Sequence, residues 1–238
     1  MKLIRKEIKF KTDYQISNNL KNTISNILDY DDNNKNNETY RVYSIYFDDE
    51  NLTYYKEKIE GLNIRIKPRL RFYFDKNLNP IKSFLELKKR RNFFVKKEKL
   101  EISLEDANVI LLGNINKLLL KYENNECFME FYKLVKLRYL KPKMTIFYDR
   151  SAFFFKFNKD VRITFDKNIF ASFYKNLDLK FSSSNRVIAA NLNIIEIKYN
   201  YSLPEIISNN FKFYNLEQCT FSKYCMGLNE CYNFNNLN

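Results

Sequence analysis

The fold is decided by residues 65–73, which read RIKPRLRFY. Arg65, Lys67, Arg69 and Arg71 occupy every second position, and successive side chains of a β-strand point to opposite faces of its sheet. The pattern therefore predicts a strand with cations on one face and apolar side chains on the other. Like charges at this spacing repel, and a bound polyanion is the simplest way to neutralise them. A solvated strand face on a basic protein is the alternative interpretation.

The totals of the chain favour one domain with an anionic partner. With 238 residues and 45% hydrophobic content, the chain can bury one substantial core, which we place at about residues 3–230 of a single domain over residues 1–238. Lys and Arg number 41 against 28 Asp and Glu, a net charge of +13. A nucleic acid, a polyphosphate, a nucleotide and an acidic lipid all fit that charge.

What the sequence lacks excludes several classes of function. Histidine is absent, which argues against hydrolysis by a Ser/His pair or a His-bound metal. The four cysteines contain no C-x-x-C pair and are typical of a reduced cytoplasmic protein. No apolar run approaches the roughly 20 residues of a transmembrane helix, and no secretory signal is present. We therefore expect a cytoplasmic protein.

Alternating segments recur along the chain and indicate an α+β fold with about eight strands. We predict these strands at residues 3–11, 41–48, 63–73, 81–89, 93–102, 143–157, 161–166 and 192–199. The polar partners in the alternation are repeatedly Lys, Arg or Glu, and a small closed antiparallel barrel would gather such faces around a lumen. Capping patterns at Asp13 and Ser103 predict helices, as do residues 50–59, 126–137 and 222–232. We expect helices to pack outside the sheet.

Seven segments, taken in order, carry a resemblance to a known family. They are RVYSIYFD (41–48), RIKPRLRFY (65–73), FLELK (84–88), YDRSAF (148–153), DVRITFDKNI (160–169), EIKY (196–199) and FSKY (221–224). Over residues 5–227 the chain resembles the VTC domain, the polyphosphate polymerase domain of the vacuolar transporter chaperone. That domain is part of the CYTH-like triphosphate tunnel metalloenzyme superfamily.

The resemblance implies a fold and an activity. The fold would be a closed, eight-stranded antiparallel β tunnel with a C-terminal helix at one mouth. The activity would be a metal-dependent phosphotransfer from the γ-phosphate of a nucleoside triphosphate such as ATP to a growing inorganic polyphosphate, with Mn²⁺ or Mg²⁺ as cofactor. Nucleoside triphosphate and polyphosphate would be the partners, and neither DNA nor RNA is expected.

The resemblance also implies site residues. The catalytic cations would be Lys9, Arg69, Arg71, Lys88, Arg150, Arg162 and Lys223. Further phosphate-binding residues would be Arg65, Lys67, Lys96, Tyr148, Lys198 and Ser222. The metal ligands would be Glu196, with Glu7 and Glu86 as the weaker matches.

Some assignments have a structural alternative. Glu196 and Lys198 could form an ion pair between strands, and Tyr148 could be a core aromatic residue. A shift of one residue would exchange Lys96 for Lys97 on the basic face.

Three classes of function stay open at this point. A phosphate acceptor is already ionised at neutral pH, so the polymerase needs no general base and the missing histidine is understandable. A hydrolase for inorganic or nucleoside triphosphate could use the same cations. A non-catalytic polyphosphate or nucleotide sensor is the third class. An RNA-binding module is disfavoured, because the aromatic residues alternate to the side of the strand opposite the cations.

Overall fold

The structure, a computed structural model, describes residues 6–31, 39–74, 80–92, 94–175, 186–188 and 192–235. It is an α+β fold built on an antiparallel sheet. The strands are β1 (Lys6–Asp13), β2 (Leu28–Tyr30), β3 (Tyr40–Asp48), β4 (Ile64–Phe74), β5 (Pro80–Arg91), β6 (Phe94–Ile102), β7 (Lys141–Phe155), β8 (Asn158–Phe173), β9 (Arg186–Val187) and β10 (Leu192–Tyr199). The helices are α1 (Tyr14–Ile24), α2 (Thr53–Ile59), α3 (Leu104–Leu111), α4 (Leu119–Tyr122), α5 (Glu126–Arg138), α6 (Glu205–Phe213) and α7 (Lys223–Asn235).

The sheet is open, so the prediction of a closed barrel is wrong. Its strands follow the order β1-β10-β8-β7-β3-β4-β5-β6, with β2 beside β7 and β9 beside β8. Closure would require β1 to pair with β6, and no such ladder joins them in the described residues. The outer edge of β1 is instead used locally, because the Cys219 amide donates to the Lys9 carbonyl at 2.8 Å and Phe10 forms a bridge with Gln218.

The chain divides into two compact units. The first comprises Met1–Arg41, Tyr148–Ile169 and Ala189–Ser222, and the second comprises Val42–Phe147, Phe170–Ile188 and Lys223–Asn238. Each unit has its own apolar core. The expectation of a single domain over residues 1–238 stays a prediction.

The core of the first unit lies on one face of the ladders that join β1, β10 and β8. Phe10, Ile163 and Ile197 point to this face and pack with Leu20 of α1 and Phe211 of α6. The alternate positions of the same strands carry polar and charged side chains. Strand alternation thus separates the core from a charged face within this unit.

The core of the second unit is built in the same way on β3, β4 and β5. Ile45, Leu70 and Leu87 are fully buried and pack with Phe128 and Phe131 of α5. α7 approaches this core closely, because a Cβ atom added to Gly227 would lie 2.7 Å from Ile146 Cδ1 and 2.9 Å from Ala171 Cβ. Only glycine fits at that contact.

Side-chain caps start the helices where the sequence predicts them. The Asp13 carboxylate accepts the Ile16 amide at 2.7 Å at the start of α1, and the Ser103 hydroxyl accepts the Asp106 amide at 3.0 Å at the start of α3. Both predicted caps are confirmed. In the described part of the chain, no helix combines the length and apolar character needed to cross a membrane.

Candidate functional site

The second unit carries a strongly basic face across β4, β5 and β6, which we call the arginine face. The strand register places its cations on one side, with Lys67 opposite Lys88 and Lys88 opposite Lys97. These strands place the carboxylates of Glu86 and Glu101 on that side. The cations of the arginine face are Arg65, Lys67, Arg69, Arg71, Lys82, Lys88, Arg90, Lys97 and Lys99.

Arg69 and Arg71 form the buried part of the arginine face, with 9% and 7% of their surfaces exposed. Glu86 holds Arg69 through contacts from Nε at 2.8 Å and Nη2 at 2.7 Å, and its Oε2 lies 3.7 Å from Arg71 Nε. Arg71 Nε also donates to the Ser44 hydroxyl at 3.3 Å. The two guanidinium groups are therefore fixed before any ligand arrives.

Glu86 is the shared counter-ion of this cluster. Only 1% of its side chain is exposed, and its second oxygen forms an ion pair with Lys97. Burial alone would raise the pKa of Glu86, but the charges of Arg71, Arg69 and Lys97 outweigh burial and hold the pKa well below its usual range. Glu86 is thus ionised and contacts two guanidinium groups and Lys97, whose own pKa burial and the neighbouring arginines lower to about 7 despite its contact with Glu86.

Lys96 does not lie on the arginine face, which corrects its place among the predicted phosphate contacts. It lies opposite Lys89 on the other face of the sheet, and its ammonium group pairs with Glu98 at 2.6 Å. Lys97 occupies the predicted place instead, opposite Lys88 and in contact with Glu86. Because Lys96 and Lys97 are adjacent in sequence, only the pairing of β6 with β5 shows which of the two lies on the arginine face.

Two β3 residues of the cluster, Ser44 and Tyr46, were absent from the sequence-based set. Ser44 contacts Arg71, and the Tyr46 hydroxyl accepts a hydrogen bond from Arg69 Nη1 at 2.9 Å. A signal was available, because Ser44 and Tyr46 alternate with the apolar Tyr43, Ile45 and Phe47. The sequence does not reveal that β3 lies next to β4, and without that information the two residues cannot be placed beside the arginines.

The first unit contains a ladder of alternating charges between β1 and β10. Lys9 lies opposite Glu196, and Glu7 lies opposite Lys198. Lys198 Nζ is 2.6 Å from Glu196 and 3.6 Å from Glu7, and Lys9 Nζ is 3.2 Å from Glu7 and 3.6 Å from Glu196. Glu196 and Lys198 do form an ion pair, but both lie on β10, so the pair runs along one strand and not between strands as expected. Lys9 and Glu7 of β1 supply the contacts between strands.

Arg150 and Tyr148 lie close together on β7, also in the first unit. Arg150 donates through Nε at 2.6 Å and Nη2 at 2.7 Å to the two oxygens of Asp166, whose exposed surface is 0%. The Arg150 guanidinium lies 5.1 Å from the centre of the Tyr148 ring. Burial would lower the pKa of Arg150, but the Asp166 charge outweighs it and raises that pKa well above its usual value. Tyr148 is buried, as the core-aromatic alternative expects.

The remaining predicted residues are split between the units. Arg162 on β8 pairs with Asp31 at 2.5 Å and lies opposite Lys198 in the ladder, so it joins the charged face of the first unit. Ser222 directly precedes α7, and Lys223 is the first residue of that helix. Ser222 falls in the first unit and Lys223 in the second.

Among the predicted metal ligands, Glu7 and Glu196 come together in the first unit, and Glu86 belongs to the second. The described residues contain no group of three or more His, Cys, Asp or Glu side chains that could hold a metal ion. Mg²⁺ is commonly held by one or two carboxylates together with substrate phosphates and water. Glu7 and Glu196 fit that donor set as a pair of neighbouring carboxylates, each also in contact with Lys9 and Lys198, whereas Glu86 is a single carboxylate held by Arg69, Arg71 and Lys97.

The family model of the VTC domain matches the chain over residues 4–232. No curated protein matches the chain.

Solved structures resemble the chain in fold. A "putative adenylate cyclase" from Bacillus halodurans is 13% identical, with a TM-score of 0.53, and the match covers 92% of this chain and 94% of that one. The PH1819 protein from Pyrococcus horikoshii OT3 is 14% identical, with a TM-score of 0.50, and the match covers 95% of this chain and 98% of that one. At these identities the likeness concerns the fold alone.

Proposed function

Since the chain belongs to the VTC domain family of the triphosphate tunnel superfamily, we propose that it is a metal-dependent polyphosphate polymerase. It transfers the γ-phosphate of a nucleoside triphosphate to the end of an inorganic polyphosphate chain. The observation that carries this proposal is the arginine face, where Arg69 and Arg71 are buried, oriented and surrounded by further cations. Nucleoside triphosphate, polyphosphate, a cytoplasmic location and the absence of a nucleic-acid partner are parts of the same proposal.

Binding of a triphosphate requires that cations and hydrogen-bond donors replace its lost hydration. Arg69 and Arg71 supply planar guanidinium donors, which match the geometry of phosphate oxygens. Lys67 and Lys88 lie beside them on the same face and add positive charge. Glu86 contacts both arginines, and the strand register places many more cations than carboxylates on this face, so the face keeps a net positive charge for the ligand.

The chemical step places modest demands on the protein. Phosphoryl transfer is catalysed mostly by alignment and by stabilisation of negative charge on the transferred group. The attacking oxygen of a polyphosphate end is ionised at neutral pH, so no side chain has to remove a proton. A sequence with no histidine is compatible with this step.

A divalent metal, Mn²⁺ or Mg²⁺, would be held in the first unit by Glu196 with Glu7. When bound, it would supply positive charge that stabilises the negative charge of the phosphates. Lys9 and Lys198 each contact both carboxylates and hold them close together. The metal ligands and the other predicted phosphate contacts of this unit, Lys9, Tyr148, Arg150, Arg162, Lys198 and Ser222, are part of the proposal, as is Lys223.

One assay tests the proposal against its competitors. Purified protein is incubated with ATP and Mn²⁺, and polymer and free phosphate are measured separately. Polymer supports the polymerase. Phosphate without polymer identifies a triphosphatase, and tight polyphosphate binding with neither product identifies a sensor.

Two substitutions locate the activity, with a matched control. Arg71→Ala and Arg162→Ala are each expected to abolish polymer formation. Arg91→Ala removes an exposed arginine on the opposite face of β5 and is expected to leave it unchanged. Polymer synthesis retained by either of the first two variants would reject the assignment of that residue.

A further inference from the structure

Tyr46 occupies a distinctive place beside the arginine face. It lies on β3 and is 6% exposed, and its hydroxyl accepts a hydrogen bond from Arg69 Nη1 at 2.9 Å. The same guanidinium group lies 5.6 Å from the centre of the Tyr46 ring. Tyr46 thus fixes Arg69 from the side opposite to Glu86 in the sheet order, since β4 lies between β3 and β5.

The Tyr46 ring is itself held by α7. Tyr224 stacks on it with ring centres 5.2 Å apart and planes inclined by 22°. The Tyr224 hydroxyl donates to Asp48 at 2.6 Å, and Asp48 also accepts the backbone amides of Tyr54 and Tyr55. A chain of contacts therefore runs from the start of α2 through Asp48, Tyr224 and Tyr46 to Arg69.

The proton of the Tyr46 hydroxyl has no acceptor in the described part of the chain. Arg69 is a donor to the phenol oxygen, and the positive charges of Arg69, Arg71 and Lys67 act on the phenol. Burial would raise the pKa of Tyr46, but these cations outweigh burial and lower the pKa to about 8. The phenol is therefore a strong hydrogen-bond donor at neutral pH, and it lies where a cationic cluster attracts an anion.

We infer that Tyr46 is a further substrate-binding residue, whose hydroxyl donates a hydrogen bond to a phosphoryl oxygen of the ligand held by Arg69 and Arg71. The identification of that ligand as a triphosphate rests on the proposed function. The hydroxyl would accept a hydrogen bond from Arg69 and donate one to the ligand at the same time. It would therefore also hold the guanidinium group in position to bind the phosphate.

Tyr46→Phe tests the inference, because it removes the hydroxyl and keeps the ring that stacks on Tyr224. The measurement is the Kd of inorganic tripolyphosphate for the full chain at pH 7, without metal, by calorimetry. A hydrogen bond to a charged group predicts that Tyr46→Phe binds at least about tenfold more weakly than the wild type. Arg91→Ala is the control and is expected to bind like the wild type.

The pH dependence separates a hydrogen-bond donor from a merely structural residue. Above its pKa, Tyr46 has no proton to donate and its negative charge offsets Arg69. The difference in Kd between wild type and Tyr46→Phe is therefore expected to shrink from pH 7 to pH 9.5. The other facing groups, Lys67, Arg71, Glu86, Lys97 and Tyr224, are present in both proteins and cancel in this comparison.

A measurement on the wild type covers the case in which Tyr46→Phe does not fold. The chain has no Trp, so phenolate absorbance near 295 nm reports its tyrosines directly. Tripolyphosphate is expected to move the lowest tyrosine titration step to higher pH, because the ligand binds the protonated phenol.

Equal Kd values for wild type and Tyr46→Phe would overturn the inference, as would a tyrosine titration that tripolyphosphate leaves unchanged. If the wild type binds tripolyphosphate with the expected Tyr46 dependence but makes no polymer from ATP, the proposed polymerase fails while the role of Tyr46 stands.

Discussion

The two units place their charges differently. In the first unit the charged face sets cations beside acidic partners: Arg150 pairs with Asp166, and Lys9 and Lys198 share two glutamates. In the second unit Glu86 serves Arg69, Arg71 and Lys97 together. The first face is therefore close to neutral, and the second is strongly positive. This difference favours the second unit for attracting a polyanion and the first for supplying carboxylates to a metal.

The largest effect should come from removing the shared counter-ion. Glu86→Ala leaves two buried arginines without their carboxylate, and breaking a buried ion pair on one side costs about 3–5 kcal/mol of unfolding free energy. Urea unfolding measures the loss.

Glu196→Ala is the comparison in the first unit. The lysine partners of Glu196 are about one quarter exposed, so we expect this variant to lose about 1 kcal/mol or less of unfolding free energy. Equal losses of unfolding free energy for Glu86→Ala and Glu196→Ala would show that the carboxylate contributes as much to stability in one unit as in the other.

The next effect concerns catalysis. Arg71→Ala should lower polymer formation by at least about 100-fold, as expected when an oriented donor to the reacting group is removed. Initial rates with ATP and Mn²⁺ give the ratio. Arg71→Lys keeps the charge but loses the planar donor pair, and it should recover only part of the rate. Full recovery would mean that charge alone, without guanidinium geometry, accounts for the role.

Acid unfolding offers a third comparison. The pKa of Glu86 lies below its unfolded value, so its contribution to stability is fully present above about pH 4.3 and is lost as the pH falls toward the folded pKa. Glu86→Gln should therefore be less stable than wild type at pH 7, and its stability should fall less between pH 5 and pH 3. Unfolding midpoints across that range measure both slopes, and parallel slopes would contradict a depressed pKa.

The smallest effect separates two adjacent lysines. Lys97→Ala should weaken tripolyphosphate binding by a few-fold, since Lys97 lies on the arginine face within reach of Glu86. Lys96→Ala should change the Kd less than twofold, because Lys96 pairs with Glu98 on the other side. The reverse order would place β6 one residue out of register.

Local pattern was enough to predict much of this molecule. The alternation of residues 65–71 predicted β4 and its basic face, and Asp13 and Ser103 predicted the starts of α1 and α3. Each of these depends on side chains close in sequence.

Relations between distant segments were harder to predict. The open sheet depends on whether β1 and β6 pair, and no local residue reports that. Lys97 was missed because Lys96 and Lys97 are adjacent, and only the pairing of β6 with β5 decides which of them joins the basic face. α6 was not predicted at all, although Ile207 and Phe211 are spaced as on one face of a helix and are both buried. Tyr46 became meaningful only once β3 was placed beside β4.

The excess of positive charge on the arginine face has a consequence for the medium around the protein. Small anions such as chloride or inorganic phosphate concentrate at such a surface before any substrate arrives. A polyanion that binds must release them, so part of its affinity is the entropy of that release and declines as ionic strength rises.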